Sequence, residues 1–325
     1  MNSLSGAGPD LSSSMRAFLD STVWKAAACT TLTGDASARR YFRLRQAGQS
    51  AVLMDASRNL ESVPPFLQLN QHLQQLGFSV PVILARNTEQ GFLLLEDFGD
   101  DTFTRLLDSG GDAERLYALA TEVLIALHQH PQAIPAGLRA YHPEKMLEDI
   151  ELFLEWRTPT ISEAGRAEFR AVWQEVLPLA HQVPASLLLR DYHVANLMLL
   201  PAREGVRQAG LLDFQDAYQG PITYDLMSLL EDARRDVSEA LREKMRARYL
   251  VAFPTLDPSA FATSLAILAA LRHTRVLAIF ERLSRRDGKR DYRRLHSPRV
   301  EAMLQRALRH PILAGVKRWF HDYAT

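Results

Sequence analysis

The sequence predicts a two-lobed α+β fold, with a small β-rich lobe over residues 1–97 and a larger, mainly helical lobe over residues 98–325. Three observations predict it. In the first hundred residues, short apolar runs alternate with turn-forming residues. Beyond Gly99, apolar residues recur at three- and four-residue spacing over long stretches. A chain of 325 residues is also long enough for about two domains.

A first strand over 29–33 runs into Gly34-Asp35-Ala36-Ser37, which has turn chemistry. Tyr41, Phe42 and Leu44 predict a second strand, Gln46-Ala47-Gly48-Gln49 a hairpin turn, and 51–54 a third strand. Ser62-Val63-Pro64-Pro65 predicts a helix start, because proline fits the first turn. Phe66, Leu69, Leu73 and Leu76 continue it at helical spacing and Gly77 ends it. Two more apolar runs, 80–84 and 92–95, complete the order strand, strand, strand, helix, strand, strand. In the second lobe, helices are predicted over 116–127, 143–156, 166–180, 238–253, 258–283 and 298–308. An extended patch at 187–200 and 210–214 interrupts them. The lobes join near Glu96-Asp97-Phe98-Gly99, and such junctions commonly frame a ligand cleft.

The 38 Lys and Arg balance 38 Asp and Glu, which argues against a protein built to grip nucleic acid. The single cysteine, Cys29, excludes an internal disulfide and any multi-cysteine metal site. The first fourteen residues have neither the basic start nor the apolar core of a signal peptide. The most apolar stretch, 265–271, reads as too short to span a bilayer. The expectation is a soluble, cytoplasmic protein with no nucleic-acid or membrane partner; oligomeric state is left open.

The densest polar cluster in an apolar setting is Arg190-Asp191-Tyr192-His193-Val194-Ala195-Asn196, with leucines on both sides. Burying Asp191 and Asn196 there costs free energy unless each has a partner or a metal. Seventeen residues beyond Asn196, Leu211-Leu212-Asp213-Phe214 ends a second apolar run in one carboxylate. The plainer alternative is that Asp191 and Asn196 cap a turn and Asp213 ends a strand.

Asp191, four intervening residues and Asn196, followed by Leu-Leu-Asp-Phe at 211–214, resembles the catalytic region of the protein-kinase-like phosphotransferases, especially the aminoglycoside and choline kinase branch. The resemblance implies a bilobal kinase-like fold, with ATP and Mg2+ as cofactors. It implies Asp191 as catalytic base or hydroxyl-orienting group and Asn196 and Asp213 as magnesium ligands. It puts Gly34, Asp35, Ala36 and Ser37 in a loop over the triphosphate, and Glu96 and Phe98 in a hinge whose backbone meets the adenine edge. An ordinary hairpin turn and a plain interlobe link are the alternatives for these two segments. Tyr224-Asp225-Leu226 matches a position where the family's acid is more often a structural helix-start partner than a catalyst.

The chain departs from the pattern in two places. Ala51-Val52-Leu53-Met54 puts Met54 where the third strand normally carries lysine, and the helix at 66–76 has no glutamate to pair with one. Losing both partners avoids an unpaired buried charge. Arg39, Arg40 and Arg43 could restore the positive charge from the second strand, with Arg40 and Arg43 carried forward as nucleotide contacts. Alternation puts Arg39, Tyr41 and Arg43 on one face and Arg40 and Phe42 on the other, without deciding which face meets the cleft. Leu189 stands where the family often has histidine, and His193 approaches the acceptor hydroxyl, supports the loop from behind or faces solvent.

Several stretches are similar to a narrower family, the anomeric N-acetylmuramate/N-acetylglucosamine kinases of cell-wall recycling. They include Gly34-Asp35-Ala36-Ser37-Ala38-Arg39-Arg40-Tyr41, Leu212-Asp213-Phe214-Gln215-Asp216-Ala217, Ile279-Phe280-Glu281-Arg282-Leu283 and Arg286-Asp287-Gly288-Lys289. The resemblance runs from about Met15 to Leu308 and implies transfer of phosphate to the anomeric hydroxyl of a small amino sugar. The Arg-rich segment 282–299 would then hold an acidic sugar or form a solvated face. Glu148, Glu151, Phe153 and Trp156 would meet the sugar or serve the surface and core. A kinase for another acceptor, such as an aminoglycoside or amino alcohol, and a catalytically silent kinase-like binding module are the competing readings.

Overall fold

A computed structural model describes residues 11–32 and 39–324. The first described element is a helix that composition did not announce, α1 (Ser13–Asp20), whose Ser12 hydroxyl caps it by accepting from the Met15 N–H. Then come β1 (Ala28–Leu32), β2 (Arg40–Gln46) and β3 (Gln49–Asp55). Ala47 and Gly48 both take positive φ in the β2–β3 turn, which is how a two-residue hairpin loop matches the twist of its strands. Helix α2 (Val63–Gln75), with prolines in its first turn, is followed by β4 (Ile83–Asn87) and β5 (Phe92–Glu96). The run expected at 80–84 therefore pairs later: Val80 is buried without joining the sheet, and pairing begins past Pro81 at Ile83.

These strands form one antiparallel sheet in the order β1-β2-β3-β5-β4. Both faces are covered, and the period of two sorts the residues. Phe42, Leu44, Leu53, Phe92 and Leu94 pack under Met15, Phe18 and Leu19 of α1. Met54, Leu93 and Leu95 pack on the other face with Val63, Phe66, Leu69 and Leu73 of α2.

Beyond Glu96 the chain is mostly helical: α3 (Phe103–Asp108), α4 (Ala113–Gln129), α5 (Pro143–Trp156) and α6 (Glu163–Val176). Two small hairpins follow, β6 (Ala185–Leu188) pairing with β9 (Tyr218–Pro221) and β7 (Leu197–Leu199) with β8 (Ala209–Leu211). Then come α7 (Thr223–Leu230), α8 (Glu239–Ala252), α9 (Pro258–Arg285), α10 (Ser297–Ala307) and α11 (Ala314–Tyr323). Helices α3, α7 and α11 were not expected. The first and second are short, and α7 is buried along its whole length, so neither shows the one-sided periodicity that marks a helix in sequence.

Helix α9 corrects the reading of 265–271 as too short to cross a bilayer. It runs 28 residues and is long and apolar enough by length and composition, but 78% of its apolar window is buried inside the protein. It is the core helix of the second lobe, packed by α5, α7 and α10. Buried Glu231, at the end of α7, ties this group together through His273 Nε2 at 2.7 Å, Arg306 at 3.3 Å and Arg246 at 3.5 Å.

Candidate active site

The catalytic-loop candidates hang from the end of β6. Past Leu188 the chain turns through Arg190 at φ 66°, a conformation a non-glycine residue keeps only when its surroundings hold it. Asp225, fully buried on α7, does the holding: its Oδ2 accepts from the Leu189 N–H at 2.6 Å and its Oδ1 from the Arg190 N–H at 2.9 Å. Burial pushes the Asp225 carboxyl up to about 7 despite both bonds. The Arg190 side chain is fixed as well, by Asp149 Oδ2 at 2.7 Å and by the faces of Tyr141 and Tyr218, each 4.9 Å away. With its neighbours held, Asp191 remains partly exposed, and its carboxylate has no hydrogen-bond partner among the described residues.

Asn196 links this loop to the next. Its Nδ2 donates to the Asp191 carbonyl at 2.8 Å, and its own carbonyl accepts from the Leu212 N–H at 3.0 Å. The amide Oδ1 is left as an acceptor. Asp213 follows β8 at φ 58°, with its side chain about half exposed and Gln215 Nε2 donating to its Oδ1 at 2.9 Å. Desolvation in the cleft raises its pKa, Gln215 opposes this, and the Asp191 charge raises it further. The Asp213 carboxylate beside the unused Asn196 amide oxygen offers oxygen donors of the kind a hard cation takes, and the Asp191 charge adds to the negative field there. Among the described residues, no three Asp, Glu, His or Cys side chains converge on such an ion. This fits a cation that takes its remaining ligands from phosphates. Phe214, next to Asp213, is buried and stacked on Phe66 of α2 at 5.2 Å between ring centroids, which ties the loop to the first lobe.

The three strand arginines part company. Arg39 is buried, donates from Nε to the Ser62 hydroxyl at 3.2 Å, lies over the Phe66 ring, and brings Nη1 to 4.0 Å from Asp213 Oδ1. Met54, in the lysine's place, is fully buried beside α2, and Arg39 brings a cation to the same face of the sheet from β2's edge. Arg40 is not brought to the cleft. Its side chain pairs with Asp55 Oδ2 at 2.6 Å and approaches Met15 Sδ at 4.0 Å, on the α1 face of the sheet. Arg43 faces the cleft side but is fully engaged by the interlobe link. It reaches Asp97 Oδ2 at 2.7 Å, Asp100 Oδ1 at 2.6 Å and the Gly99 carbonyl at 2.7 Å. Neither arginine leaves its guanidinium open to a phosphate as the sequence reading expected.

The hinge is built from both lobes. Glu96 pairs with Arg203 at 2.5 Å and accepts from the Val82 N–H at 3.2 Å. Phe98 packs over β8, where a Cβ on Gly210 would fall 2.7 Å from its ring, so glycine is required for that approach. The Glu96 and Phe98 side chains are thus spent on the hinge, leaving backbone atoms for a nucleotide. Gly34, Asp35, Ala36 and Ser37 lie outside the described residues.

His193 is buried and kept neutral, its pKa lowered to about 4 by burial. Charges from Asp232, Arg234, Arg272 and Asp191 act on it. Phe153 belongs to the core against Trp319 and Phe320, while Glu148 and Glu151 pair with Lys145 and Arg170. The sequence reading did not identify Asp149, Asp225's grip on the loop backbone, or the burial of Arg272. Each lies far along the chain from Asp191, and only helix packing brings it near.

The sequence profile of the phosphotransferase enzyme family matches residues 28–262. The N-acetylmuramate/N-acetylglucosamine kinase of Caulobacter vibrioides is 34% identical over 333 residues, covering 90% of this chain and 91% of that one. The protein of the same name from Neisseria meningitidis serogroup B is 38% identical over 282 residues, covering 81% of each. Among solved structures, the GDP and kanamycin complex of APH(2")-IIIa superposes with a TM-score of 0.64 at 15% identity, over 90% of this chain and 97% of that one.

Proposed function

The chain belongs to the phosphotransferase enzyme family, among the N-acetylmuramate/N-acetylglucosamine kinases, and from that premise we propose that it moves the terminal phosphoryl group of ATP to the anomeric hydroxyl of these two sugars. The observation that carries this is the convergence of Asp191, Asn196 and Asp213 on one cleft, with Arg39 directed at Asp213. Asp191 lies beside the acceptor, orients its anomeric hydroxyl and accepts the proton. That hydroxyl is acidified by the ring oxygen, so a base of ordinary strength suffices, and a loose transition state asks little more. Asn196 and Asp213 would hold magnesium, which when bound neutralises charge on the phosphates. Arg39 supplies the cation that strand lysine supplies elsewhere, and Asp213 keeps it in place. Positioning and charge neutralisation account for the acceleration.

The products would be sugar 1-phosphates, and recycling of cell-wall sugars in the cytoplasm, where ATP is available, is the setting we assign. The test is transfer from ATP and magnesium to each sugar, with the phosphate position read by phosphorus NMR. The expected result is an anomeric phosphate whose formation drops about 10²- to 10⁴-fold in Asp191→Asn, the range for losing a positioned base. Phosphate on another oxygen, or transfer indifferent to Asp191, overturns the reading. ATP hydrolysis dependent on Asp191 without transfer to either sugar would point to a different acceptor.

A further inference from the structure

Five arginines are buried among the described residues: Arg39, Arg43, Arg190, Arg242 and Arg272. Four of them are partnered. Arg39 donates to Ser62, Arg43 to the hinge, Arg190 to Asp149, and Arg242 to the Val237 carbonyl and Glu239. Arg272, at 8% exposure, has no hydrogen bond or ion pair with any described residue. It is absent from the polar atoms that are both sealed from solvent and orphaned, so its guanidinium keeps an edge on open space.

Its place in the fold says what that space is. Arg275, one turn further along α9, lies 3.7 Å from Asp149 Oδ2, the atom that also receives Arg190, the residue before Asp191. His273, the next residue, bonds Glu231, which precedes Asp232. Arg272 therefore stands between two anchors, close enough to the catalytic loop for its charge to act on His193 and on Asp225. Asp225 offsets part of its charge, but no described carboxylate bonds the guanidinium, and a planar fork left unbonded matches a carboxylate.

The two proposed acceptors differ by one such group. N-acetylmuramate is N-acetylglucosamine bearing a lactyl ether that ends in a carboxylate. The Arg-rich segment 282–299, the sequence's own candidate for reading that carboxylate, is mostly spent internally. Arg285 and Arg293 pair with Glu281, Arg286 with Asp287, Arg294 with Asp291 and Arg299 with Asp236.

Resting on the function proposed above, we infer that Arg272 binds the lactyl carboxylate of the acceptor and sets the preference for the acidic sugar over the neutral one.

The test compares both sugars on the wild-type protein, Arg272→Met and Arg272→Lys. A charge-assisted contact of ordinary strength predicts that Arg272→Met lowers kcat/KM for N-acetylmuramate by about 10- to 100-fold, with N-acetylglucosamine changed less than about twofold. Arg272→Lys keeps the charge without the fork and should fall between. The methyl ester of N-acetylmuramate should show the loss on wild-type protein and no further loss in Arg272→Met. Equal losses for both sugars would make Arg272 a structural counter-charge and overturn the inference, as would a wild-type protein indifferent to esterification. If Arg272→Met does not fold, an unchanged sugar ratio in Arg272→Lys overturns it by itself. Wild-type protein that phosphorylates neither sugar refutes the underlying function instead.

Discussion

Arg39 and Arg40 are adjacent in sequence and opposite in consequence. The strand's two-residue period turns Arg39 toward Asp213 and Arg40 toward Asp55 on the far face of the sheet. Arg39→Met should lower kcat/KM for the nucleotide by about tenfold or more, since a charge-assisted contact near the phosphates is lost. Arg40→Met should leave turnover unchanged and destabilise the fold by about 1–3 kcal/mol, because it strips a cation from buried Asp55. Steady-state kinetics beside urea denaturation of the two variants separates the roles, and matching effects on turnover would contradict this assignment. Arg43 shows the same dependence on surroundings: its charge faces the cleft side, but three hinge groups use it.

At the scale of elements, the catalytic loop owes its shape to α7 and the first lobe owes its closed outer face to α1. Asp225 accepts the two N–H groups that turn the chain into Asp191, and it touches no reacting atom. Asp225→Ala should therefore reduce kcat strongly with little change in nucleotide affinity, and should destabilise by about 1–3 kcal/mol for each N–H left without an acceptor. A variant with normal kcat would show that the loop holds its shape unaided. Phe18, 6% exposed on α1, covers Phe92 and its sheet neighbours. Phe18→Ala should cost about 3–5 kcal/mol, seen as a lower melting temperature, while activity per folded molecule stays unchanged.

For the whole molecule, buried histidines set the response to acid. Burial holds His128 at about 3 and His193 at about 4, both below the ordinary histidine value near 6.5. As pH falls below 6.5 the unfolded chain takes up protons on both residues and the folded protein does not, so stability falls. Asp225 works the other way. Pushed up to about 7, it keeps its proton in the folded state while the unfolded carboxyl is still ionised, which adds stability as pH falls from 7 toward 4. His181 and His273 are depressed by burial as well and Asp213 is raised as well, so four depressed histidines stand against two raised aspartates. The urea midpoint should thus be lower at pH 5 than at pH 7, and His128→Leu should flatten the difference. A midpoint that rises on acidification would contradict this balance. Glu231, held down to about 2 by His273 and its arginines, keeps its contribution throughout that window.

The sequence by itself determined the lobe order, seven of the larger helices and the Asp191, Asn196 and Asp213 cluster. These features are local: a helical period, a proline at a helix start, or a carboxylate closing an apolar run can be read within a few residues. Helix α7 could not be read that way, because it is buried on every side and has no polar face to show its period. What only the tertiary structure decided depends on which surfaces meet. Packing of α1 and α2 on opposite faces of one sheet settled which of Arg39 and Arg40 reaches the cleft. Hinge carboxylates claimed Arg43, and acidic neighbours claimed most of the basic segment 282–299. Arg272, on a helix turn more than seventy residues from Asp191 in the chain, came close enough to act on His193 of the same loop because α9 packs beside α5 and α7. A charge's role follows from its partner and its burial, and those are fixed by contacts between residues that are distant in sequence.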